Sequence, residues 1–137
     1  MTSKEEKLQD FDANGLALSG QLYGLPFTPE ESDIVLIQAP WEATVSYRTG
    51  TAEGPAAILK ASAQVDLYDS LIPDGWKHGF ALLPEDLGLR ELSRKARAQA
   101  EIQLDALIEG GFNSEATSFV NESCVTMINL IENKATE

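Results

Sequence analysis

A single cysteine and a single histidine among 137 residues leave little material for disulfide, thiol or imidazole chemistry. Cys124 has no second cysteine to join, so an internal disulfide is excluded and a reducing cytoplasm is the expected setting. Positive charge is scarce as well, with Lys+Arg 10 against Asp+Glu 22, a formal net charge of −12 and a pI near 4.4. Phosphates would meet a repulsive field, which argues against nucleic acid and against an anionic membrane surface as partners. Long apolar runs are missing. Ile34-Val35-Leu36-Ile37 is closed by Gln38 and Pro40, too short to span a bilayer, and Met1 to Asp10 lacks the apolar stretch of a signal peptide. There is no Gly-x-Ser-x-Gly elbow, phosphate loop, dinucleotide fingerprint or internal repeat.

What is present suits one ordinary domain or a piece of a larger one. The chain is 43% hydrophobic, too apolar for disorder, and a domain near this length buries roughly 70% of the surface its unfolded chain exposes. Residues 1–32 carry Asn14-Gly15, Gly20, Gly24, Pro26 and Pro29 among charges, and read as an N-terminal arm. At Asp33 the pattern changes. Residues 33–39 form a β-branched run without polar alternation, as in a parallel strand buried on both faces. A long loop follows, then a helix from Pro55 to about Ala63, since proline suits the first helical turn. Val65-Asp66-Leu67-Tyr68 alternates like a short strand, and residues 69–84 read as irregular backbone pinned by Trp76 and Phe80.

Apolar residues then recur at helical spacing from about Leu89 to Glu109, stopped by Gly110-Gly111. A second helix is expected from Ser114, as N-cap, to about Lys134. Its apolar stripe is Val120, Cys124, Met127, Ile128 and Ile131. Strands alternating with helices indicate α/β, but one good strand cannot make a sheet. Residues 33–137 are therefore expected to be an incomplete α/β domain.

The residues offer no self-contained catalytic centre. His78 lies among aromatics, and its commoner role is surface or packing; Asp66, Asp69 and Asp74 nearby match no ligand spacing. Cys124 falls on an apolar stripe, where a thiol behaves as a small hydrophobe. No catalytic residue and no metal ligand is assigned. The loop after the first strand is more informative. Gly50 and Gly54 permit unusual backbone, Gly54-Pro55 opens a helix whose amides can hold a carboxylate or be capped, and Arg48 can orient an anion or pair with an acid. A loop at the carboxyl edge of an α/β sheet is where ligands tend to bind. Trp41, Tyr47, Arg48, Gly50 and Gly54 are the substrate-loop candidates.

Ile37-Gln38-Ala39-Pro40-Trp41, Arg48-Thr49-Gly50, Gly54-Pro55-Ala56-Ala57-Ile58 and Val65-Asp66-Leu67-Tyr68-Asp69 together resemble the N-terminal part of the ureohydrolases, the arginase, agmatinase and formimidoylglutamase family. The resemblance is good over about residues 33–69 and loose over the two later helices. It departs from the family at Leu59, where arginine commonly follows the Gly-Pro-x-x-Ile pattern. It implies a three-layer α/β/α parallel-sheet fold and hydrolysis of a guanidino compound by two metal ions, usually manganese. The family holds them with Gly-Gly-Asp-His, Asp-Ala-His-x-Asp and Ser-x-Asp-x-Asp-x-x-Asp-Pro segments, and none of the three occurs here. No cofactor is thus expected on this chain alone.

Three functions follow. The first is an N-terminal fragment or split subunit of such a hydrolase, silent alone, whose partners are the missing catalytic portion, a guanidino small molecule and, when complete, further copies in a homo-oligomer. The second is a non-catalytic interaction module using the two C-terminal amphipathic helices. The last is a small enzyme built on His78 with Asp66 or Asp74.

Overall fold

A computed structural model describes residues 3–45 and 47–136. Ser46, within the expected loop, lies outside the described residues, as do Met1, Thr2 and Glu137 at the outer limits of the expected arm and domain. The elements in order are α1 (Lys4–Asp10), β1 (Ile34–Leu36), α2 (Gly54–Ser62), β2 (Phe80–Leu82), α3 (Leu87–Ile108) and α4 (Ser114–Thr136). The residues fall into two compact units, one made of the chain up to Gln38 with Ala56–Pro84, the other of Ala39–Pro55 with the chain from Glu85 onward.

In the first unit β1 and β2 pair in parallel, with Ile34 opposite Phe80, Val35 opposite Ala81 and Leu36 opposite Leu82. The α/β expectation holds in this coarse form: helices with a small parallel sheet. Full burial of β1 does not. The strand is three residues long, Ile34 is 45% and Val35 39% exposed, and β2 is the one strand paired with it among the described residues. Its apolar character on both faces fits an inner strand, yet here it has one neighbour.

Two local readings change. Val65–Tyr68 is not a strand: Asp66 Oδ1 accepts from the Tyr68 amide at 2.9 Å, and Asp69 Oδ1 from the Leu71 amide at 2.7 Å. These side-chain turns satisfy the backbone and leave a ladder nothing to offer. Conversely, residues 69–84, read as irregular, contain β2.

Residues 1–32 carry α1, capped reciprocally by Ser3 and Glu6, and three buried side chains, Leu22, Leu25 and Phe27. Between them the backbone reverses. Tyr23 takes a left-handed φ of 55° and its amide donates to Ser62 Oγ at 3.0 Å, while its ring meets Phe80 edge-on at 5.5 Å. Gly24 follows at φ 66°, with its carbonyl accepting from the Leu18 amide. A Cβ at Gly24 would lie 2.4 Å from that of Ala17.

The second unit contains an antiparallel helical hairpin. Asp86 caps α3 by accepting from the Leu89 amide at 3.0 Å, and Gly110, at φ 80°, turns the chain just past the end of α3. The α4 cap is Asn113, whose side chain accepts from the Ala116 amide at 2.9 Å, so Ser114 is the first helical residue rather than the cap. The buried stripes are Leu89, Ser93, Ala96 and Ala100 on α3 and Ala116, Val120 and Ser123 on α4. Their small side chains let the helix axes approach closely. Val120 of the expected stripe is buried, Cys124 half-buried and Ile128 48% exposed. Lys134 pairs with Asp86 at 3.1 Å and ties the far end of α4 to the start of α3.

Gly24→Ala combines a left-handed backbone, costing about 1–2 kcal/mol for a residue with a Cβ, with the clash against Ala17. The expected result is a urea midpoint lowered by more than the backbone cost alone, measured by circular dichroism.

Candidate functional site

The loop from Trp41 to Gly54 is built around one carboxylate. Glu42 Oε2 accepts from the Gly50 amide at 2.7 Å and from the Ala52 amide at 3.2 Å, which holds its pKa below the ordinary glutamate range, Gly50 contributing most. Gly50 sits at φ 120°, open only to glycine, and leads into a 3-10 turn, Thr51–Glu53, that runs straight into α2. Gly54 is in ordinary helical geometry and does not use its conformational freedom. The Glu42 carboxylate lies on the amides of this turn, not on those at the Gly54-Pro55 start of α2.

Helix α3 supports the loop from the other side. The Glu42 amide donates to Ser93 Oγ at 3.0 Å, and Ser93 is fully buried. Arg97 Nη1 donates to the Val45 carbonyl at 2.5 Å while its Nε pairs with Glu101 at 2.9 Å. Arg90 binds Glu85 and Glu53 and reaches the Ala52 carbonyl at 3.4 Å. These acids push the Arg90 pKa further up, and Arg90 in turn lowers that of Glu85. Glu42, Glu53, Arg90, Ser93 and Arg97 border a cavity of about 230 Å³. Charges there are matched within the chain, so the cavity holds no spare cation cluster for an anion.

Of the substrate-loop candidates, Trp41 is half-buried, Tyr47 is 92% exposed, and Arg48 and Gly50 also lie in solvent. Ala43 and Ala52 are buried, so the ends of the loop are packed and the Tyr47–Arg48 tip projects. Glu42 and its α3 partners were not singled out from sequence. A lone glutamate eight residues before a Gly-Thr-Ala turn carries only a faint signal of capping.

His78 is placed differently from the enzyme reading. Its Nδ1 lies 2.9 Å from Asp33 Oδ2, and Lys4 Nζ bonds both Asp33 at 3.2 Å and the His78 carbonyl at 2.8 Å. Asp66 caps its own turn and Asp74 pairs with Lys77, so neither joins the histidine. His78 and Lys4 together lower the Asp33 pKa, the histidine contributing more. Among the described residues no group of three or more His, Cys, Asp or Glu could hold a metal ion. The residues present therefore do not fit a metal centre. No described helix is long and apolar enough to cross a membrane.

Comparison with known proteins places the segment that contains β1, the loop, α2 and β2. Residues 32–84 match the arginase family. A stretch of 39 residues is 46% identical to an N(1)-aminopropylagmatine ureohydrolase of Synechocystis sp., a match covering 28% of this chain and 13% of that protein. No solved structure matches. The match to the arginase family thus falls on the segment whose Gly-Pro helix start and preceding strand resemble the ureohydrolases.

A pH-dependent test follows from Asp33. Its folded pKa is lowered, so its contribution is present above the ordinary carboxylate range and lost as pH falls through the lowered value. Asp33→Asn is expected to lower the thermal midpoint slightly at neutral pH, with the difference from wild type closing in acid. A difference that persisted or grew in acid would contradict the assignment.

Proposed function

We propose that this chain supplies the first strand, the substrate-facing loop and the first sheet-covering helix of a ureohydrolase-like hydrolase acting on a guanidino compound. The observation that carries the reading is where the family match falls: residues 32–84 contain β1, the loop, α2 and β2 and contain no metal-ligating segment. In this reading a complementary polypeptide, or a longer parent, brings the strands and metal ligands. The family is generally manganese-dependent, and the manganese pair would rest on that remainder. This chain's contribution is binding and orientation, with Trp41 half-buried at the base of the loop and Tyr47 and Arg48 at its tip. Arginase and agmatinase substrates are the class in view, in a cytoplasmic homo-oligomer when complete.

The half-exposed side chains of β1 support the proposal from physics. An Ile-Val-Leu strand with an unpaired edge is a ready template for another strand. A second reading, an interaction module on α3 and α4, is favoured by a different observation. Leu104, Leu107, Ile108 and Phe112 remain 45–84% exposed near the turn of the hairpin.

The two readings differ in an assay. Purified chain given manganese and arginine, agmatine or guanidine is expected to release no urea. Adding a polypeptide that carries the Gly-Gly-Asp-His and Asp-Ala-His-x-Asp segments is expected to produce release. Turnover by the isolated chain would overturn the proposal, and association through α3 and α4 without turnover would favour the module.

A further inference from the structure

We infer that Glu42 is a positioning residue, which with Ser93 and Arg97 of α3 ties residues 42–45 to residues 50–52 and so sets where Tyr47 and Arg48 project. Its functional meaning rests on the substrate-facing reading of the loop; its geometry does not.

The two ends of Glu42 are fixed independently. Its amide is bound to the buried Ser93 Oγ, and its carboxylate spans the loop to the amides of Gly50 and Ala52. One oxygen takes both donors, the arrangement a helix start offers to an anion. Between these fixed points the chain touches α3 once more, where Arg97 donates to the Val45 carbonyl. The segment is therefore held at its base, on its rising limb and at its return. Removing one tie leaves a loop whose ends are still adjacent but whose tip is free to sample other positions.

The alternative is that Glu42 merely fills space beside α3. The two ideas separate on charge. A packing role depends on shape, whereas the clamp depends on an acceptor oxygen and is strengthened by its ionisation. The charged groups around the carboxylate are Arg90, Arg94, Arg97 and Glu101 of α3 and Glu53 of the 3-10 turn. Glu42 Oε2 is the carboxylate oxygen bonded directly to the Gly50 and Ala52 amides, which makes those two signals its reporters.

The test uses the full chain, with amide signals followed by nuclear magnetic resonance as pH is lowered. In the wild type the Gly50 and Ala52 amide signals should move together, with a midpoint below the ordinary glutamate range. Glu42→Gln keeps an acceptor oxygen and should hold the loop at neutral pH while abolishing that transition. Glu42→Ala should lose it and also raise amide exchange at Gly50 and Ala52 at least about tenfold. Far-UV circular dichroism reports whether α3 and α4 remain folded in each variant. Gln and Ala variants that behave alike, or wild-type Gly50 and Ala52 signals that do not titrate, would overturn the clamp. None of these readouts needs catalysis, so failure of the clamp and failure of the ureohydrolase reading are recorded by separate experiments.

Discussion

The parallel pairing of β1 with β2 governs the first unit. Parallel strands cannot be joined by a tight turn, so the chain must leave β1 and return in the same direction, and residues 37–79 make that return with α2 on the way. The ladder also decides which side chains meet. Because the Asp33 amide donates to the His78 carbonyl at the start of the pairing, the lone histidine is delivered to Asp33 rather than to the acids nearest it in sequence. Lys4 then closes the group from α1. Asp33 and His78 are substantially in water and Lys4 partly so, where such pairs contribute little. Their arrangement is a consequence of the register, not its cause.

The helices were legible because their signals are local. Apolar periodicity and the Gly110 stop place α3 within two residues at each end, and Pro55 places the first turn of α2. What failed were features that depend on a distant partner. Phe80-Ala81-Leu82 is too short to announce itself between Gly79 and Pro84, and becomes a strand because β1 lies beside it. Val65–Tyr68 has the alternation of a strand, yet Asp66 offers the Tyr68 amide a nearer acceptor, and Asp69 does the same for Leu71 just beyond. On α4 the large residues of the stripe suggested the buried face, but a close-packed hairpin needs Ala116 and Ser123 at the contact and turns Ile128 partly outward. Hydrophobicity marks the side of the helix; side-chain volume decides the line of contact.

The loop shows the same division. Its glycines and the helix start at Pro55 could be read directly, and the sequence raised the choice between holding an external carboxylate and being capped internally. What ties the loop is Glu42, eight and ten residues from its two donors, and Ser93, fifty-one residues away. No periodicity connects such positions. The buried hydroxyl of Ser93 on an otherwise apolar stripe is the trace the loop leaves in the helix, because a buried polar group requires a partner.

Charge sets the field in which these details sit. Among the described residues, eight of the ten lysines and arginines take part in ion pairs; Arg48 and Lys60 are not in those pairs. Pairing consumes cations and acids alike, so the chain's excess of twelve negative charges is untouched by it. Such a field attracts small cations over distances of about a Debye length, roughly 8 Å at physiological salt. At the loop tip the sign reverses. Glu42 and Glu53 are bound within the chain, and Arg48 stands in solvent. The net charge therefore draws cations toward the chain as a whole, whereas Arg48 disfavours them beside the loop tip.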